Sequence, residues 1–408
     1  MLLRTERMVH GGRALARDPD GRVVLVSGAL PGETVSVEAE RRSGVLLGTV
    51  VEVIEPSPDR VPVPRHPGLD LGFASYPAQL RIKAEVLTDA ARRSGVPLPA
   101  KAMDVRPSPR IWSYRSVIQP AVRDGRLGYR REGSDEVVAM DADPTAMPAA
   151  NEAWTRLVAA DLPRSVVEVA IRANDAGQAL AGLIATAPAK ELLPLAHRLV
   201  QSGVTGVSLA AYDPRGRFRA GKERLAGARE IRQRYGRVEL SVSATAFAQP
   251  NPSAASELYE TVAGMVPGGE LACELFAGSG AIAMHVADRY REVVAVEVSS
   301  ESVARGRRDA ERHGIDNVRF ERADARRARL PDAETLIVDP PRAGLAKPLR
   351  AAIDASTAAS LLYVSCDVAT WARDAADLIA RGWRLVEVRP FDFQPHTHHL
   401  ELATRFER

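Results

Sequence analysis

The sequence predicts an α/β protein: a doubly wound, Rossmann-like domain preceded by a small β-barrel and an α+β region. Three observations carry this. Short β-type runs crowd the first 55 residues, strand-like and amphipathic helical runs alternate from about Leu240 onward, and the stretch between follows neither pattern. The expected units are 1–55, 56–238 and 239–408.

At 408 residues, 45% apolar and 26% charged, the chain can bury a large core and has an ordinary globular composition. No apolar run is long enough to cross a bilayer, and the N-terminal MLLRTERMVHGG lacks the apolar centre of a signal peptide. A cytoplasmic monomer with reduced thiols is expected. Two cysteines, Cys273 and Cys366, are too few for a disulfide framework or a four-thiolate metal site. The net charge of +3 conceals a skew: only five of the 55 basic residues are Lys (83, 101, 190, 222 and 347). Arginine's planar fork suits phosphates and stacks on bases. A GC-rich coding sequence produces the same skew, so composition alone does not establish a nucleic-acid partner.

Within the first unit, Val23–Val26, Thr34–Val37 and Leu46–Val51 read as strands, separated by turn signals at Asp20-Gly21, Pro31-Gly32 and Ser43-Gly44. The wording GGRALAR, GALPGETV and GTVVEVIEPSPDR resembles the TRAM domain, an OB-like RNA-binding barrel. Such barrels stack bases on aromatic rings, yet no aromatic precedes Phe73. RNA contact here would fall to Arg13, Arg17, Arg41 and Arg42 on phosphates.

Pro56 to Pro67 carries five prolines and reads as a linker, and Gln79–Ala91 as a helix. The central region then shows strand-like Val117–Gln119, a turn at Asp124-Gly125, strand runs near Val166–Ile171 and Leu180–Ile184, and a helix near Ala189–Gln201. Two arginine clusters mark it. Arg106, Arg110, Arg115, Arg123, Arg126, Arg130 and Arg131 interleave with Trp112, Tyr114 and Tyr129; Arg215, Arg217, Arg219, Lys222 and Arg224 follow later. Cations interleaved with aromatics are the composition of a single-stranded nucleic-acid surface, although most charge runs are solvated faces.

The last unit has β-type runs at Leu271–Phe276, Val293–Val298, Val318–Glu321, Leu336–Asp339, Leu361–Ser365 and Leu385–Val388, with His399–Phe406 as a final strand. The first run ends in Phe276-Ala277-Gly278-Ser279-Gly280, a turn that lets a ligand approach the helix starting at Ala281. Glu297 ends the second run, where a carboxylate accepts ribose hydroxyls. Asp324, after the third, is placed to meet an adenine edge. These features suit a dinucleotide or S-adenosylmethionine equally. The fourth run ends in Asp339-Pro340-Pro341-Arg342, a loop made rigid by two prolines. Acid-Pro-Pro after the fourth strand is frequent in methyltransferases acting on planar nitrogen or on bases, which disfavours a dinucleotide dehydrogenase. The fifth run delivers Cys366 to a strand end. A thiolate added to C6 of a uracil makes C5 nucleophilic, and a base must then remove the C5 proton. Glu401, at the head of the last apolar run, is the candidate base. His396, His398 and His399 have no adjacent thiols and are not read as metal ligands.

FAQPN (Phe247–Asn251), ELFAGSGAIA, VDPPRAGL, YVSCDVATWARD and HTHHLELATRFER together resemble the motifs of the uracil-5 RNA methyltransferase family. The resemblance implies Cys366 as nucleophile, Glu401 as general base, S-adenosylmethionine as cofactor, and Gln249, Phe276, Glu297 and Asp339 lining the cofactor and base pocket. It also implies a uridine flipped out of structured RNA, with 23S ribosomal RNA favoured over tRNA because tRNA-specific members commonly lack the barrel. Two departures stand out. Barrel-bearing members often carry a four-cysteine iron–sulfur cluster, but Val61–Ala74 here has no cysteine, so none is expected. Ser-Cys-Asp replaces the common Ser-Cys-Asn, and Asp367 should make Cys366 less acidic. The alternatives are an RNA-binding or RNA-folding protein with a vestigial site, and a cytosine-C5 methyltransferase. The latter usually has a cysteine where Arg342 stands.

Overall fold

The computed structural model describes residues 1–42, 44–64, 66–99, 102, 104–213, 222–327 and 330–408. Five strands, β1 (Leu2–Val9), β2 (Arg13–Arg17), β3 (Val23–Ser27), β4 (Thr34–Arg42) and β5 (Val45–Glu55), close into a barrel in the order β1-β2-β3-β5-β4. Alternation puts Ala14, Ala16, Val24, Val26, Val35 and Val37 inside.

Helix α1 (Tyr76–Arg93) has two apolar faces. Ala78 and Ile82, one turn apart, pack into the barrel core. Ala84, Leu87 and Ala91 pack instead into the core of the C-terminal sheet. This corrects the sequence grouping, which placed the helix in the central region: its helical period carries one face to each neighbour.

The central region builds a mixed sheet from β6 (Val117–Ile118), β7 (Ala121–Arg123), β8 (Arg126–Arg130), β9 (Val137–Ala139), β10 (Val166–Ala173), β11 (Ala179–Ala185), β12 (Gly206–Ala211) and β13 (Lys222–Gly227). Helices α2 (Pro148–Ala159) and α3 (Ala189–Gln201) share its core, centred on Trp154, Leu157, Ile171 and Leu199. A hairpin, β14 (Ile231–Tyr235) and β15 (Val238–Val242), leads onward.

The C-terminal part runs α4 (Pro252–Met265), β16 (Gly269–Leu275), α5 (Ala281–Val286), β17 (Tyr290–Glu297), α6 (Ser300–Arg312), β18 (Val318–Arg322), β19 (Thr335–Val338), α7 (Lys347–Asp354), β20 (Ser360–Ser365), α8 (Val368–Ala380), β21 (Arg384–Phe391) and β22 (Glu401–Glu407). The sheet order is β18-β17-β16-β19-β20-β22-β21, with β22 antiparallel to both neighbours and the other pairs parallel. Strand β20 is buried on both faces: Leu361 and Tyr363 join one core, Leu362 and Val364 the other. Strand order reverses at β16, so the crevice at the carboxyl ends of β16 and β19 is where an open α/β sheet takes a ligand.

The last strand starts at Glu401, two residues later than the sequence suggests. His396 has a left-handed φ of 69°, and the backbone N–H groups of His396 and His398 donate to the side chains of Gln79 and Asp70 instead of to a strand ladder. Residues 392–400 therefore form a loop, whereas an extended path had been expected from His399.

Candidate active site

The turn after β16 is set by backbone geometry. Phe276 lies at φ 62°, and Gly278 and Gly280 at 55° and 76°. A Cβ on Gly280 would sit 2.5 Å from the Phe320 ring, so only glycine fits there. A Cβ on Gly278 would meet nothing within 4 Å, so that side of the turn is open. Gly278 N–H donates to Glu297 Oε2 (3.0 Å), and Ser299 N–H donates to Oε1 (2.8 Å). These bonds fix the Glu297 carboxylate at the end of β17 while leaving lone pairs for further donors. Behind the turn Glu274, buried, accepts from Ala283 N–H (2.8 Å), and burial holds its carboxyl well above the usual range.

Asp324 is gripped by the Arg326 guanidinium at 2.9 and 2.8 Å, which lowers its pKa. That carboxylate is thus already engaged. Gln249 is half-buried, its carbonyl accepting from Tyr235 Oη (3.0 Å). Beside it Phe247 stands 76% exposed. Asn251 holds this segment: its Oδ1 caps α4 at Ala254 N–H (3.1 Å), and its Nδ2 donates to Ser108 Oγ and Phe393 O.

Cys366, Asp339 and Glu401 arrive at three adjacent strand ends, because β20 lies between β19 and β22. Glu401 is 5% exposed and its Oε1 has no hydrogen-bond partner. Burial, then the charge of Asp339, push its pKa well above the carboxylate range, against the pull of Arg342. Asp339 shows some surface to the crevice but is ringed by protein, and desolvation raises its pKa to about 7. Burial, followed by Glu401 and Asp339, pushes the Cys366 thiol up to about 12; Arg342 opposes this and Asp367 adds to it. Glu401 and Asp339 thus both raise the Cys366 thiol, and Asp339 also raises Glu401. Cys273, by contrast, is fully buried within β16, and burial raises its thiol to about 12.

The 392–400 loop that delivers Glu401 is pinned from every side. Lys83 Nζ of α1 donates to Asp392 Oδ1 (2.6 Å) in a fully buried ion pair. Gln79 accepts from His396 N–H (2.7 Å) and donates to His396 Nδ1 (3.1 Å). Asp70 accepts from His398 N–H (2.8 Å) and contacts His398 Nδ1. Trp112 stacks on His396 with ring centroids 3.7 Å apart, and Tyr114 Oη donates to Pro395 O (3.1 Å). Arg342 donates to His399 Nε2 (3.0 Å); burial and the neighbouring cations lower His399 to about 3, so it stays neutral. Sequence reasoning assigned none of Gln79, Lys83, Asp70 or Asp392 to the site. The one advance signal was Lys83, a rare lysine in an arginine-rich chain.

The first arginine cluster differs from the expected base-stacking surface. Arg106, Arg110, Arg130 and Arg131 pair with Glu257, Asp175, Glu168 and Glu136 at 2.7 to 3.1 Å, and Arg126 lies 3.7 Å from Asp141. Tyr114 is buried, Tyr129 donates to Asp143 (2.6 Å), and Trp112 is occupied by His396. Trp112 and Tyr114 tie the central region to the 392–400 loop and Tyr129 braces the central region itself, roles composition cannot separate from stacking on bases. In the barrel, Arg13 reaches Glu132 (2.6 Å) and Arg17 reaches Glu6 (3.3 Å), while Arg41 is exposed. Arg215, Arg217 and Arg219 lie outside the described residues, as do the side chains of Arg42 and Lys222. Among the described residues no group of three metal-ligating side chains is assembled, and no helix is long and apolar enough to cross a membrane.

A profile described as a methyltransferase domain matches residues 272–338, and one described as tRNA (uracil-5-)-methyltransferase matches residues 319–408. The chain is 32% identical to a 23S rRNA (uracil(1939)-C(5))-methyltransferase of Alkalilimnicola ehrlichii, over 98% of this chain and 94% of that protein. It is 31% identical to a protein of the same name from Methylococcus capsulatus, over 99% and 96% of the two chains. Its fold matches the crystal structure of a Pyrococcus abyssi tRNA (uracil-54, C5)-methyltransferase in complex with S-adenosyl-L-homocysteine. The TM-score is 0.81 at 23% identity, over 99% of this chain and 100% of that one. With relatives of this identity matched along its whole length, the chain belongs to the RNA uracil-5-methyltransferase family.

Proposed function

We propose that this protein methylates C5 of a uridine in structured RNA, with Cys366 as nucleophile and Glu401 as general base. The carrying observation is the convergence of Cys366, Asp339 and Glu401 at adjacent strand ends beside the reversal point of the sheet. The crevice also suits a nucleoside-bearing cofactor: the turn is open at Gly278, and Glu297 offers a fixed carboxylate at the ribose position. In this reading Gln249, Phe276, Gly278, Glu297 and Asp339 line the pocket, and Asp324 joins them once it turns from Arg326.

S-adenosylmethionine would supply a methyl group on a positively charged sulfur. The protein's own residues do the rest. Cys366 adds to C6 of the ring, which moves electron density onto C5. After C5 gains the methyl group, Glu401 removes the C5 proton and Cys366 leaves. Burial raises the Glu401 pKa, so once ionised its unpartnered buried oxygen is a stronger base for that proton than an ordinary carboxylate. Phe247, exposed beside Gln249, offers a ring for a base drawn out of its RNA fold.

The 31–32% identity to two proteins named as 23S rRNA enzymes supports ribosomal RNA as the substrate. Residues 1–55 and 56–238 would hold the RNA and 239–408 perform the transfer, in a cytoplasmic monomer. RNA carrying 5-fluorouridine tests the chemistry, since fluorine cannot leave as a proton. A stable protein–RNA adduct is expected from the native chain and none from Cys366→Ala, while Glu401→Gln should trap ordinary uridine too. A Cys366→Ala protein that still methylates would overturn the assignment. Mass spectrometry of ribosomal and transfer RNA from cells lacking the protein identifies the substrate.

A further inference from the structure

The turn between β1 and β2 brings a barrel residue to the nucleophile. His10 Nε2 lies 3.1 Å from Asp367 Oδ2, across 357 positions of sequence. Asp367 directly follows Cys366, and its Oδ1 caps α8 by accepting from Thr370 N–H (2.8 Å). The Asp367 carboxylate is therefore fixed beside the thiol, where a lone negative charge opposes ionisation. The turn is shaped for close approach: Gly11 and Gly12 have φ of 91° and 73°, and a Cβ on Gly12 would lie 2.9 Å from Asp70 Oδ2 and 3.2 Å from His398 Cβ. Met8, His10 and Gly12 line one cleft with Cys366, Asp367 and His398.

We propose that His10 is a positioning residue for the nucleophile: its imidazolium balances Asp367, so that the barrel, when docked, favours ionisation of Cys366. This rests on the reading of Cys366 as the reacting thiol. The other charged groups around the pair are committed elsewhere. Glu401 and Asp339 face Cys366 and oppose its ionisation, and Arg342, which favours it, also donates to His399. Lys83 on α1 is held by Asp392. His398 meets His10 edge-on at 6.2 Å and contacts Asp70. His399 is neutral. The hydrogen bond to Asp367 raises the pKa of His10, so its charge persists to higher pH than that of a free imidazole and is lost as pH rises through the raised value.

The test measures the rate at which methyl methanethiosulfonate modifies Cys366 in the full chain, as a function of pH and without RNA. Buried Cys273 serves as the internal control for folding. His10→Asn should slow the reaction on the order of fivefold at about pH 6, the effect of one partly screened charge, and by progressively less towards about pH 9 as His10 loses its proton. Adding Asp367→Asn to that variant should restore the rate at about pH 6. His10→Arg, a permanent cation, should react faster than the native chain at about pH 9. Equal slowing at both pH values, or no rescue by Asp367→Asn, would mean that His10 only fastens the barrel and would overturn the proposal. Failure of the 5-fluorouridine adduct with this pH signature intact would instead fault the uridine reading.

Discussion

Burial keeps a proton on Asp339 up to about pH 7 and on Glu401 more firmly than an ordinary carboxyl holds it. Both groups bind protons more tightly in the folded chain than in the unfolded one. The stability they contribute is complete below the usual carboxylate pKa and is lost as pH rises through their folded values. The ligand-free protein should therefore melt lower at about pH 8 than at about pH 5. Asp339→Asn should flatten this slope, raising Tm at about pH 8 by a few degrees and leaving it nearly unchanged at about pH 5. A parallel offset at both values, seen by calorimetry, would refute the assignment. Cys366, Asp339 and Glu401 were legible in the sequence because each sits where a recognisable apolar run meets a motif. His10, Gln79 and Lys83 were not. They reach the site from more than 300 residues away, and no local pattern encodes that pairing.

At the level of elements, the 392–400 loop does more than connect β21 to β22. The buried Lys83–Asp392 pair holds its start, and Asp392 Oδ2 has no other partner. Lys83→Met would leave a carboxylate buried and unpaired, a loss of about 3–5 kcal/mol. Denaturant titration should show that loss, and Lys83→Met with Asp392→Leu should recover most of it. The sequence disclosed the sheet because alternating or continuous apolar runs report burial directly; helix α3 matched its predicted span, Ala189–Gln201. It misjudged the start of the last strand, because side chains of α1 and of the segment before it intercept backbone donors that a strand would have used. It also gave α1 to the wrong neighbour, since apolar periodicity names a face without naming what covers it.

Across the whole molecule, the arginine excess is largely spent on internal ion pairs. With Arg106, Arg110, Arg130 and Arg131 already paired, few of the cations in the first cluster are free for phosphates. RNA affinity should accordingly fall with salt with a logarithmic slope of roughly −5 or shallower, corresponding to a handful of phosphate contacts. Filter binding from about 50 to 200 mM salt checks this, and a slope near −10 would show that these pairs open on RNA.

The ties between α1 and the 392–400 loop also bear on how the enzyme is made. Lys83 meets Asp392 only after 309 further positions have been joined to the chain. Strand β20 and its cysteine leave the ribosome earlier than the strand that carries Glu401. A nascent chain halted between them would display Cys366 without Glu401 beside it. Contacts of such long sequence separation form late in folding. The pairing of Cys366 with Glu401 is thereby deferred until the molecule is whole.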